Sequence, residues 1–104
     1  MLDKTTVREI AEKYAEKVKK ILNPDAILIF GSYVNGSPHE YSDIDIAIIC
    51  NDFKDNWYET TIQLCRLSRE ISFDIEPHLL DENHDVSGFV KHVMQTGEFI
   101  YKAA

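Results

Sequence analysis

Long apolar runs are missing from these 104 residues; the two longest, at 26–30 and 46–50, have five residues each. A membrane-spanning helix needs roughly 20 consecutive apolar residues, so no span is expected. The opening segment MLDKTTVREIAEKY carries charges where a secretory leader would be apolar, and the expected location is the cytoplasm. Cysteine is scarce: Cys50 and Cys65 form neither a CxxC pair nor a Cys/His cluster. Two reduced, inert thiols are the expectation. Basic charge is also short, with 11 Lys and Arg against 18 Asp and Glu and a formal net charge of −7. That balance argues against binding a DNA or RNA backbone, which relies on a basic surface. It leaves open a nucleotide carried with a cation, because the metal reverses the sign locally. No repeat or low-complexity stretch is visible, and a chain of this length suits one domain, 1–104, burying somewhat more than about 60% of its unfolded surface.

Several familiar motifs fail on inspection. Gly31 and Gly36 are spaced like the glycines of a P-loop, but Ser37 and Pro38 stand where Lys and Ser or Thr belong. Asp81, Asn83 and Asp85 imitate the first half of an EF-hand, yet Val86 takes the glycine position and His92 the final glutamate position. Ser32 lacks the GxSxG elbow of a hydrolase nucleophile. His39, His78, His84 and His92 show no metal-ligand spacing among themselves, although His78 follows Glu76-Pro77.

What is present has a clear order. Val7, Ile10, Ala11, Tyr14, Val18, Ile21 and Leu22 recur at helical spacing and predict a helix over 3–22, started by Asp3 or by a Thr6–Glu9 capping box and stopped at Asn23-Pro24. Residues 26–30 read as a strand buried on both faces, and Gly31-Ser32 as the corner after it. A helical turn and a loop follow to Ser42, then a second strand over 43–50. Residues 56–70 read as a helix capped by Asn56, with Ile62, Cys65, Leu67 and Trp57 inward. Ser72 to Glu76 alternates as a third strand that Pro77 ends or places at an edge, and 79–85 reads as acidic loop. A last helix over 87–96 turns Phe89, Val90, Val93 and Met94 inward and stops at Gly97, and 99–101 forms a short strand. The expected fold is a small α/β (α+β) domain, a mixed sheet backed by helices.

The chemistry gathers in AILIFGSYVNGSPHEYSDIDIAIIC, residues 26–50. Side chains alternate along a strand, so Asp43 and Asp45 share a face about 6.6 Å apart, from a rise of roughly 3.3 Å per residue. Such a pair repels itself unless a cation intervenes, and divalent ions held by carboxylates and substrate phosphates are the usual solution. Gly31 lets the backbone approach a phosphate. Ser32 offers a hydroxyl and an N–H, more so if a helix starts there. A third carboxylate on the neighbouring strand would complete a two-metal site. Glu76 and Asp74 both qualify by face; Glu76 is slightly favoured because Pro77 would fix it, but residue patterning does not separate them.

Gly-Ser, ten residues, then Asp-x-Asp, as in GSYVNGSPHEYSDIDIAII, resembles the signature of the DNA polymerase β-like nucleotidyltransferases, and in size and element order the chain resembles the minimal nucleotidyltransferases of that superfamily. The resemblance covers roughly residues 26–77, with Gly31, Ser32, Asp43 and Asp45 in place. It implies the polymerase β-like nucleotidyltransferase fold and transfer of a nucleoside monophosphate, AMP from ATP, to an acceptor hydroxyl. Two Mg²⁺ ions would sit on Asp43, Asp45 and the third acid, with Asp45 or that third acid taking the acceptor's proton. Minimal members often pair with a small helical HEPN protein as antitoxin and adenylylate it on tyrosine, so the expected partner is a HEPN-type toxin. Larger relatives hold the acceptor with an extra helical domain; here a second copy or a partner protein would supply that site. Two other functions compete: a binding module or antitoxin that acts by contact with an idle site, and modification of a small molecule such as an antibiotic.

Overall fold

Four strands form the sheet in the order β3-β2-β1-β4. The computed structural model describes residues 2–35, 43–51 and 56–103; the loop expected to end at Ser42, with His39, falls at 36–42 outside them, as do residues 52–55. In chain order the elements are α1 (Lys4–Ile21), β1 (Ala26–Phe30), α2 (Ser32–Asn35), β2 (Ile44–Cys50), α3 (Trp57–Ile71), β3 (Ile75–Asp81), α4 (Phe89–Thr96) and β4 (Glu98–Lys102). β1 runs antiparallel to β2 and β4, whereas β2 and β3 are parallel, so the sheet is mixed.

The inner strands β1 and β2 are buried on both faces, which is why they read as unbroken apolar runs. Ile27, Ile29, Ile44, Ile46 and Ile48 pack on one side against Val7, Ala11, Tyr14 and Val18 of α1 and Leu64 of α3. Ala26, Leu28, Ala47 and Ile49 pack on the other side against Val90 and Val93 of α4. Each fully buried isoleucine contributes about 1.5–3 kcal/mol of transfer free energy, so this alternation fixes the register. Asp3 caps α1, its carboxylate accepting the N–H of Thr6 at 2.7 Å. Cys50 is buried and Cys65 half-buried, both free; burial, then the Asp25 and Asp81 charges, push the Cys50 thiol up to about 11. Among the described residues no helix is long and apolar enough to cross a membrane.

Two elements differ from expectation. β3 begins at Ile75 and continues to Asp81, so Leu79 and Leu80 belong to a strand rather than a loop, while Ser72 caps α3 and Phe73 is 85% exposed in a turn. Pro77 lies inside β3 because the strand is at the sheet's edge, where a missing N–H costs no ladder bond on the open side. On α3 the buried line is Thr60, Leu64 and Ser68, at i, i+4 and i+8; Ile62, Cys65 and Leu67 flank it and Trp57 is 46% exposed. The Tyr14 hydroxyl donates to the Leu64 carbonyl at 2.8 Å, joining α1 to α3 along that polar-edged line. Gly97 ends α4 in extended backbone, not a left-handed turn; its lack of a Cβ matters because one would stand 2.7 Å from the Val93 carbonyl and 3.0 Å from that of Ile29.

Candidate functional site

β1 delivers the chain to Phe30, and Gly31 turns it with φ +82°, a left-handed conformation that favours glycine. The close approach is more specific than the turn: a Cβ on Gly31 would run into Oδ2 of Asp45. The corner and the acid are therefore built against each other. Ser32 opens α2, and Val34 N–H closes the turn onto the Gly31 carbonyl at 3.1 Å.

Strand pairing assembles the rest. Asp45 lies opposite Phe30 on β1 and opposite Glu76 on β3. His78, two residues after Glu76, shares its face. Its Nε2 is 3.2 Å from Asp45 Oδ1 and 4.0 Å from Glu76 Oε1. The imidazole is braced by a T-shaped contact with Phe30, ring centroids 5.0 Å apart, and Phe30 in turn meets Phe89 at 5.7 Å. Asp43 is exposed, one residue before β2. Asp74 falls in the turn before β3: its N–H bonds the Ser72 hydroxyl oxygen at 3.0 Å, and its carbonyl accepts the Ile44 N–H at 2.7 Å. Gly31, Asp45, Glu76 and His78 are thus brought together, with Ser32 next in the chain, while the Asp74 carboxylate lies near the Ser72 hydroxyl.

The electrostatics are those of anions without enough cations. Desolvation, then the Asp45 charge, raise the Glu76 carboxyl above its ordinary value; Asp43 adds to the effect and His78 opposes it. Among the described residues neither Asp45 nor Glu76 pairs with Lys or Arg. Asp45, Glu76 and His78 each present one donor atom, all within 4.8 Å of one another. Two carboxylates with an imidazole form a donor set that fits a divalent cation. An open groove of about 460 Å³ between α1, α2 and β4, lined by Arg8, Tyr33 and Glu98 among others, contains none of these acids. The aromatic brace His78–Phe30–Phe89 escaped the sequence; its one signal is Phe30 directly before Gly31, at the end of an apolar strand.

This arrangement of Gly-Ser corner and facing acids defines the class. The chain belongs to the polymerase beta nucleotidyltransferase family, whose model matches residues 10–104. A Methanocaldococcus jannaschii protein provisionally named a protein adenylyltransferase is 32% identical over 53 residues, which are 49% of this chain and 36% of that protein. The chain thus spans little more than a third of that relative's length. The crystal structure of a provisionally assigned nucleotidyltransferase from Sulfolobus solfataricus has the same fold, with TM-score 0.69 at 23% identity, over 94% of this chain and 82% of that one. A toxin–antitoxin crystallised with AMP-PNP matches with TM-score 0.62 at 27% identity, over 88% of this chain and 73% of that one.

Proposed function

We propose that the chain is a Mg²⁺-dependent nucleotidyltransferase that moves AMP from ATP to a hydroxyl on another protein, the tyrosine of a small helical HEPN-type toxin, and so acts as an antitoxin. The observation that carries this is the register pair Asp45–Glu76 with Gly31 packed on Asp45: two acids with no Lys or Arg partner among the described residues, beside a corner that a phosphate can approach. Asp43, Asp45 and Glu76 are the cation ligands, and Gly31 and Ser32 the phosphate contacts. When bound, the cations lower the acceptor hydroxyl's pKa and offset the charge leaving with pyrophosphate. The Ser32 hydroxyl and N–H orient the triphosphate so that the acceptor oxygen bonds the α-phosphorus as the bond to the bridging oxygen breaks. The proton passes to the Asp45–Glu76 pair. The family membership and the likeness to a toxin–antitoxin crystallised with AMP-PNP support an adenylyl donor and a protein partner.

The test uses α-labelled ATP, Mg²⁺ and a small helical HEPN-type protein sought in the gene beside this one. Label is expected on that partner, and Asp43→Asn or Asp45→Asn should remove it. Transfer that persists in either variant would take that carboxylate out of the mechanism. A double variant that transfers nothing yet neutralises the partner as well as wild type would replace catalysis with contact.

A further inference from the structure

An all-oxygen site would suit Mg²⁺, but the strand that carries Glu76 brings a nitrogen donor with it. Two residues along β3 return a side chain to the same face, so His78 sits beside Glu76 and against Asp45 by the pleat alone. In an octahedron with bonds of about 2.1 Å, neighbouring ligand atoms stand roughly 3 Å apart and opposite ones about 4.2 Å. The distances from Nε2, 3.2 Å to Asp45 Oδ1 and 4.0 Å to Glu76 Oε1, fall in that range. The ring is held in place: Phe30 and His78 pack in a T-shaped contact with the planes 65° apart, and Phe89 backs Phe30. Its side chain is 31% exposed, so an ion can reach it from solvent. Asp43 is not in this group of three.

We propose that His78 is a metal ligand, its Nε2 joining Asp45 and Glu76 on one ion and biasing the site toward a first-row transition cation such as Mn²⁺ over Mg²⁺. Imidazole is a good donor to transition cations and a poor one to Mg²⁺, which prefers oxygen and keeps its waters. The proposal rests on the reading of Asp45 and Glu76 as metal ligands and adds a residue and a preference to it. The competing role for His78 is a positioning hydrogen bond to Asp45 with no bond to the ion.

Mn²⁺ itself is the probe. Electron paramagnetic resonance of the full chain titrated with Mn²⁺ counts bound ions, and spin-echo modulation detects a directly bonded imidazole nitrogen. Wild type should bind Mn²⁺ with nitrogen modulation. His78→Gln should lose the modulation and at least about tenfold in Mn²⁺ affinity, while Mg²⁺ affinity measured by competition falls less. His84→Gln, which alters the imidazole beside Asp81, should keep the modulation. Bound Mn²⁺ without modulation in wild type would make His78 a positioning residue only and leave the carboxylate site standing; that spectrum is decisive even if the His78 variant folds poorly. Modulation surviving in a folded His78→Gln protein also overturns the ligand. Mn²⁺ binding that Asp45→Asn does not weaken would bring down the carboxylate site as well, so the two failures are distinguishable.

Discussion

Strand β3 has an acid and a histidine near each end, and the two ends behave oppositely. At its start Glu76 and His78 face Asp45, and among the described residues neither carboxylate pairs with Lys or Arg, the nearest basic group being that one imidazole. At its finish Asp81 accepts the N–H of Asn83 at 2.9 Å and contacts His84 Nδ1 at 2.8 Å. Asp85 reaches past Gly88 to accept the N–H groups of Val90 and Lys91, at 2.9 and 3.0 Å, capping α4. The proton affinities follow. The Asn83 N–H holds Asp81 below the usual carboxylate range, whereas desolvation and Asp45 hold Glu76 above it. Residue type is the same at both ends; the difference is whether backbone donors already satisfy the charge. A carboxylate with its donors in place is structural, and one that faces mainly other carboxylates is poised for a cation.

The sharpest separation of the two ends should come from their glycines. Gly31 and Gly88 both have positive φ, +82° and +77°, but a Cβ at Gly31 would collide with Asp45 while one at Gly88 meets nothing within 4 Å. Each Gly→Ala change should cost about 1–2 kcal/mol of backbone strain. The melting temperature should fall by about 4–8 °C per kcal/mol in a domain of this size. Only Gly31→Ala should also displace Asp45, and its transfer activity should drop by more than the roughly 10–100-fold that outer-shell changes cost metal sites. Equal activities in the two variants would mean that the Gly31–Asp45 contact does not matter.

A smaller effect tests the structural end alone. Asp85→Ala removes the acceptor for two helix N–H groups and should lower stability by about 1 kcal/mol, read as a shift in thermal midpoint, with transfer unchanged. Lost transfer at unchanged stability would place the far end of β3 in the site.

How much of this contrast can be read from the chain depends on distance along it. β1, the Gly31 corner and the two aspartates are local: an apolar run bounded by Pro24 and Gly31, then a fixed spacing to Asp43 and Asp45. Both inner strands announce themselves because each is buried on two faces. β3 does not, because an edge strand tolerates Pro77, and proline looks like an end. Asp74 and Glu76 are equivalent under period-two alternation, and only pairing shows that the ladder reaches Glu76 opposite Asp45 while Asp74 is still in the turn. The inward line of α3 is masked for a related reason: Thr60 and Ser68 are buried polar residues, so apolar periodicity points to its flanks. Asp85 as a cap and the His78–Phe30–Phe89 brace join segments that only the folded chain brings together.

The smallest expected effect fixes the sign of the comparison. Glu76 has an ordinary value of 4.5 and is raised in the folded chain, so its contribution to stability is fully present below 4.5 and is lost as pH rises through the raised value. In chelator at neutral pH the charged Glu76 therefore weakens the fold, and Glu76→Gln should melt higher than wild type, the gap closing below 4.5. Asp81 is the mirror case: from an ordinary 3.8 it is lowered, so its contribution is present above 3.8 and lost as pH falls through the lowered value. Asp81→Asn should melt lower than wild type at neutral pH, the gap closing in stronger acid. Adding a divalent cation should invert the first result and leave the second alone, because binding stabilises wild type by mass action at a site that the Glu76→Gln change weakens. If Glu76→Gln is no more stable than wild type in chelator, Glu76 and Asp45 are not repelling each other. The two ends of β3 would then differ in position but not in electrostatics.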